Sequence, residues 1–285
     1  MNKRKFAIDW TKSTEKIKEQ NAPKKNWKDE RLYYPQIKDN GTAEAIIRFL
    51  PSKDTDIPFV KTYNHAFDGP GGWYINECPT TIAQECPTCK ANTELWNSDP
   101  DTVRRRSRKT NYYTNILVVK DPQNPENEGK VFLFKYGKTI HEKIMSKISP
   151  EEGGIDEPVM VFDYYDGANF KFKIKTQKVN NTNMPNYDLS VFDNPSPVGT
   201  DEEIEKIHGM LYSLTEFTGK DRFKSYNDLK ERFEKVTGKI IIPVTNAPTT
   251  APTSTPQTVT TPAASGEKTV FDGDDETFFN DLQNG

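Results

Sequence analysis

No stretch of 18 consecutive apolar residues occurs anywhere in the 285-residue sequence, so no membrane-spanning helix is expected. The opening residues Met1, Asn2, Lys3, Arg4 and Lys5 lead into charged sequence where a secretory signal would carry an apolar core, which points to a soluble, intracellular protein. Cysteine is scarce, with three residues, an odd number too small for a disulfide framework. Residues 241–266 hold no charge at all, five prolines, and many Thr and Ala. Such a segment cannot bury enough apolar surface to offset its ordering entropy and reads as a linker. Also absent are the phosphate-cradling pattern G-x-x-x-x-G-K-[ST], paired carboxylates at metal spacing, and repeats at solenoid or propeller period. These gaps remove the usual signatures of hydrolytic catalysis, and the expectation is a protein that is not an enzyme.

What is present is segregated charge. The net charge of −3 hides a basic start, with ten Lys/Arg against five Asp/Glu in residues 1–31, and an acidic end, with six acids against one Lys in the last twenty residues. Residues 102–120 carry six basic groups and no acid. The acidic segment 267–285 intersperses Phe271, Phe278, Phe279 and Leu282 among Asp272, Asp274, Asp275, Glu276 and Asp281, a mixture suited to a disordered docking peptide.

Between these ends the pattern is strand-like. Phe170, Phe172 and Ile174 alternate with Lys171, Lys173 and Lys175, giving one apolar and one basic face. Similar segments at 45–50, 59–65, 112–119, 131–136 and 159–164 suit a small barrel or sandwich. Three helices are expected: one on Ile140, Ile144 and Ile148, one after a capping box at Thr200 and Glu203 ahead of Ile204, Ile207, Leu211 and Leu214, and one over 225–236. The fold class is therefore mainly β with some α.

All three cysteines fall in one constellation with a histidine. His65, Cys78, Cys86 and Cys89 give H-x12-C-x7-C-P-x-C. A C-P-x-C knuckle lets two thiolates converge on one ion, and one further thiolate with one imidazole completes a tetrahedron suited to Zn2+. Four protein ligands leave no open position for water or substrate, so one structural zinc is the expectation. The alternatives are cysteines that merely pack, or a disulfide with one thiol left over. His141 and His208 read as ordinary side chains on helices.

Arg104, Arg105, Arg106, Arg108 and Lys109 are followed at once by Tyr112 and Tyr113. Concentrated positive charge beside aromatic planes is what a surface for unpaired nucleic acid requires, because phosphates need cations and exposed bases stack on rings. Adjacent strand positions face opposite ways, so one of the two tyrosines is expected to stack. Trp73, the run Phe134, Lys135 and Tyr136, and Tyr187 in an Asn-rich loop are further candidates for the same surface. A zinc-dependent nuclease using such a groove, and a zinc-ribbon regulator reading sequence or an RNA loop, are the competing readings.

Several of these segments resemble the single-stranded DNA-binding proteins of T-even-like bacteriophages: 45–53 (AIIRFLPSK), Asn64 with His65, Trp73 with Tyr74 and Ile75, the C-P-x-C knuckle, and above all 115–132 (NILVVKDPQNPENEGKVF). The resemblance covers roughly residues 1–240. It implies an oligonucleotide-binding (OB) fold core at 21–240 with a zinc subdomain around 60–95, a flexible basic arm at 1–20, the linker at 241–266, and a disordered acidic tail at 267–285. It implies His65, Cys78, Cys86 and Cys89 as zinc ligands, with Arg108, Lys109, Tyr112, Trp73, Phe134 and Tyr187 on or near DNA-contacting positions. The activity implied is sequence-independent, cooperative coating of single strands in replication, recombination and repair within the cytoplasm of the infected host cell. Self-association would run through Lys3, Arg4 and Lys5, and replication and recombination proteins would dock on the tail through Asp272, Asp274, Asp275, Phe278 and Phe279. The chain departs from the pattern where Phe6 and Ala7 replace the hydroxyl residues of the family's arm motif, while Ser107, Arg108, Lys109 and Thr110 offer a similar internal sequence.

Overall fold

The computed structural model describes residues 29–179 and 182–238. The expected arm with Lys3, Arg4 and Lys5, the linker, and the tail with Asp272, Asp274, Asp275, Phe278 and Phe279 lie outside the described residues.

Eight strands form one sheet: β1 (Thr42–Leu50), β2 (Phe59–Gly69), β3 (Gly72–Glu77), β4 (Lys109–Lys120), β5 (Val131–Tyr136), β6 (Ala168–Val179), β7 (Thr182–Asn186) and β8 (Val191–Pro195). Their pairings are antiparallel, in the order β3-β2-β4-β1-β6-β7, with β5 on β4 and β8 on β6. Among the described residues there are five α-helices: α1 (Pro87–Leu95), α2 (Pro100–Arg106), α3 (Lys138–Ile148), α4 (Asp201–Gly209) and α5 (Tyr226–Thr237). None is long and apolar enough to cross a membrane.

The long strand β4 is the spine. Tyr112 is paired with both Lys61 of β2 and Tyr136 of β5, so β2 and β5 lie on opposite edges of it. Further along, Ile116 is paired with Phe49 of β1 and Phe132 of β5. Period-two alternation places Phe170, Phe172 and Ile174 of β6 in the main core with Phe49, Ile47, Phe134 and Tyr136, while Lys171, Lys173 and Lys175 face outward. Ile140 and Ile144 of α3 cover this core, with Ile148 packed against it.

The capping box of α4 is present: Thr200 accepts from Glu203 N and the Glu203 carboxylate accepts from Thr200 N. The helix ends at Gly209, short of Leu211 and Leu214, which are buried beyond its end. The segment 159–164, expected as a strand, is a series of turns. Its Asp163 carbonyl is taken by a buried arginine instead of a ladder: Arg48 Nη2 donates to Asp163 O at 2.9 Å, and also to Ser196 O, just after β8, at 2.8 Å. Local bonds from Val161 N to Val159 O and from Asp163 N to Met160 O complete the turns.

A second, smaller cluster of Phe67, Tyr74, Ala91, Leu229, Phe233 and Val236 joins the β2–β3 hairpin and α1 to α5. Here two glycines are required by close approach: a Cβ on Gly69 or Gly71 would lie 2.5 Å from Val236 O or 2.0 Å from Lys235 O. Gly71 N donates to Val236 O at 3.0 Å, which fixes the hairpin tip on the end of α5.

Candidate metal centre and nucleic-acid interface

The four expected ligands converge. His65 comes from β2, Cys78 from the residue after β3, and Cys86 and Cys89 from the start of α1, whose Pro87 occupies the first helical turn. One ligand atom from each lies within 4.8 Å of all the others. Cys78 Sγ is 3.6 Å from Cys89 Sγ, and His65 Nε2 is 3.5 Å from Cys86 Sγ and 3.4 Å from Cys89 Sγ. A tetrahedral ion with bonds of about 2.3 Å to sulfur and about 2.0–2.1 Å to nitrogen has edges close to these separations, so the donor set fits a zinc-sized cation.

The outer contacts orient this set. His65 Nδ1 bonds the Arg106 carbonyl at 2.9 Å, which leaves Nε2 to face the sulfurs, and Asn92 Nδ2 donates to the same carbonyl at 3.1 Å. Cys78 N donates to Tyr63 O, and Thr80 Oγ1 lies 3.1 Å from Cys78 Sγ. Hydrogen bonds from Cys86 and Cys89 hold the Cys78 thiol far below its ordinary range, while bonds to Cys78 and Cys86 push the Cys89 thiol far above. Three sulfurs crowded around too few protons behave this way, and a divalent cation relieves the crowding by stabilising thiolates together.

The basic run begins on α2, and the helix sorts it. Arg104 and Arg105 are exposed, Arg104 pairing with Asp101 at 3.1 Å and Arg105 donating to Thr102 Oγ1. Arg106 turns inward, its guanidinium 5.6 Å from the Phe67 ring and 5.5 Å from the Phe233 ring. It closes the smaller cluster rather than presenting charge. Arg108 is exposed, donates to Thr80 Oγ1 at 3.0 Å and lies 4.5 Å over the Tyr63 ring; Lys109 is half-buried. Trp73 stands 61% exposed on β3.

Tyr112 and Tyr113 face opposite ways, and both are buried. Tyr112 stacks on His141 at 3.8 Å and 11°, whereas Tyr113 stacks on Phe217 at 4.0 Å and 15° with Arg222 near both rings. Phe134, Tyr136 and Tyr187 differ from the expectation of a stacking surface, because all three are enclosed in the main core. Phe134 and Tyr136 are two apart on β5 and point inward together, which leaves half-buried Lys135 facing the other way. Tyr187 packs against Phe172 at 5.7 Å.

Residues 41–237 match the model of the family described as "gp32 DNA binding protein like". The chain belongs to this family. The chain is 40% identical over 210 residues to the "Single-stranded DNA-binding protein" of Enterobacteria phage T4, covering 71% of this chain and 68% of the relative. It is 41% identical over 206 residues to the protein of the same name from Enterobacteria phage T2, covering 70% and 67%. A third relative of that name, from Enterobacteria phage RB70, is 40% identical over 78 residues, covering 26% and 67%.

Two further groups lie on the sheet face that holds Tyr112: Lys61 and Tyr63 follow Phe59 at period two on β2, an alternation visible in the sequence. Arg222 lies in a short 3-10 turn with no sequence signal, and reaches Glu77 at 3.3 Å.

Proposed function

We propose that this protein coats single-stranded DNA without sequence preference and holds strands open during phage replication, recombination and repair. The observation that carries the reading is the exposed arginine series Arg104, Arg105 and Arg108, on and just after the helix whose Arg106 carbonyl bonds His65 of a four-residue cluster able to hold a metal, in a chain that also exposes Trp73 and whose relatives bear the name single-stranded DNA-binding protein. Phosphates would be met by these arginines with Lys109 and Lys135, and unpaired bases by Trp73, with counterion release supplying most of the affinity. Tyr112 and Tyr113 would contribute at the margins of their packed rings.

The mechanism is mass action. A protein that binds open strands and not duplex shifts the equilibrium toward open DNA, and no bond is made or broken. Catalysis forms no part of the proposal. The metal is one structural Zn2+, which, when bound, supplies cross-linking of β2, β3 and α1. His65, Cys78, Cys86 and Cys89 hold the hairpin and helix in register beside the arginines, and the Arg106 carbonyl orients His65. The architecture proposed is an OB-fold core at 21–240 with a zinc subdomain at about 60–95. The basic arm at 1–20 makes binding cooperative by contacting the next copy, the linker spans 241–266, and the acidic tail at 267–285 takes replication and recombination partners. The protein would act in the cytoplasm of the infected host cell.

Titration with an oligo-dT strand and with duplex, followed by Trp and Tyr fluorescence from low to high salt, tests this. Tight, quenched, steeply salt-dependent binding to the strand with little duplex affinity is expected. Equal affinity for duplex, or shortening of the labelled strand, overturns the reading.

A further inference from the structure

A ladder of alternating cations and rings runs across β2, β4 and α3. The Arg108 guanidinium lies 4.5 Å over Tyr63, the Lys61 ammonium lies 5.5 Å from Tyr63 and 5.8 Å from Tyr112, and Tyr112 stacks on His141 at 3.8 Å. Phe59 closes the far end, edge-on to His141 at 5.0 Å. Lys61 is directly opposite Tyr112 in the β2–β4 register, and Phe59, Lys61 and Tyr63 follow one another at period two, so these groups share one face of the sheet. Arg108 and Lys61 are exposed, while Tyr63 and His141 are half-buried. His141 is packed against the Tyr112 and Phe59 rings, yet its Nδ1 is buried without a hydrogen-bond partner.

We propose that His141, with Lys61 and Tyr63, belongs to the strand-binding surface, and that His141 gains a proton when a backbone phosphate settles against this ladder. The inference rests on the single-strand binding proposed above. Without the strand, burial first and the Lys61 charge second lower the His141 pKa to about 4, so the imidazole is neutral. The groups around it are Lys61 from β2 and the Tyr112 and Tyr136 phenols from β4 and β5, with Lys138 and Glu142 on its own helix, themselves paired at 3.8 Å. None of those facing it from the sheet is an anion. A phosphate neutralises Lys61 and supplies the missing negative charge, and the imidazole then regains a pKa near its ordinary value of roughly 6.5. Acid acts oppositely on the free fold. A histidine lowered in the folded state contributes full stability above pH 6.5, and that contribution is lost as the pH falls toward 4. Tighter binding in mild acid is therefore not a consequence of general stabilisation.

The experiment measures oligo-dT affinity at fixed ionic strength from pH 8 to pH 5.5 for the full chain and for His141→Phe and His141→Gln. Each variant's affinity at pH 8 serves as its own reference, and zinc content and circular dichroism report folding. The unaltered chain should tighten by about ten-fold, the ratio expected when one imidazole moves from about 4 to roughly 6.5. Both variants should lose most of that gain, with Phe, which keeps the stack on Tyr112, folding as the parent does. Parallel pH profiles for all three proteins overturn the role of His141 while leaving strand binding intact. Absence of strand binding at pH 8 overturns both this inference and the function on which it rests.

Discussion

The two packed regions of this protein are held together by different means. The main core joins twenty buried side chains among the described residues, many of them aromatic, fifteen from β1, β4, β5, β6 and α3 and the rest from the connecting segments. The hairpin region has six buried apolar side chains, and beside them buried His65, Cys78 and Cys86 with half-buried Cys89. Burial contributes roughly 25 cal/mol per Å² of apolar surface, so the first region is self-sufficient where the second is too small to be. With the proposed zinc bound, coordination would substitute for area in the second region, and that region carries the exposed Trp73 and the arginine series. The proposed binding surface would therefore stand on the side of the molecule that the proposed metal centre braces.

Removing the metal should break the comparison most forcefully. Structural zinc contributes on the order of 10 kcal/mol in small domains. Chelation, or Cys86→Ser, should unfold the β2–β3 hairpin and α1 and abolish most strand affinity, while amide exchange in β1, β4 and β6 stays slow. Uniform loss of protection across both regions would show that they are one cooperative unit. Phe49→Ala acts on the other side. Phe49 is fully buried between Phe134, Tyr136, Phe162 and Phe170, and its truncation should cost about 3–5 kcal/mol of global stability. Zinc stoichiometry measured below the new melting transition should remain one per chain, and its loss would contradict the separation.

The same contrast explains what the sequence disclosed. The four ligands were legible because three cysteines and a nearby histidine at zinc-site spacing leave few alternatives. The β6 alternation and the α4 capping box were legible because each is a local rule, and each appears where expected. The turns at 159–164 were not, since the side chain that overrides the strand pattern, Arg48, lies over a hundred residues away. Lysines beside Phe134 and Tyr136, and the Asn-rich loop around Tyr187, suggest binding rings, yet the inward phase of β5 and the packing of Tyr187 on Phe172 enclose all three. Neither His141's stack on Tyr112 nor the inward turn of Arg106 has a sequence signal, because each depends on which distant ring lies opposite.

Neighbouring arginines offer the finest test. Arg104 and Arg106 are two residues apart on α2, one belonging to the exposed surface and the other to the hairpin cluster. The Arg104–Asp101 pair is exposed on both sides and contributes about 0–1 kcal/mol at most, so Arg104→Ala should leave the melting temperature almost unchanged. If it meets one phosphate, its loss should flatten the dependence of log affinity on log salt by about 0.7. Arg106→Ala should do the reverse. Its guanidinium and methylene stem cover Phe67 and Phe233, so the fold should lose about 1 kcal/mol. Its salt slope should match the parent's. An unchanged slope for Arg104→Ala, with a reduced one for Arg106→Ala, would mean that the helix turns its inward face to the strand on binding. Strand contact would then extend from the exposed arginines to the buried face of the same helix.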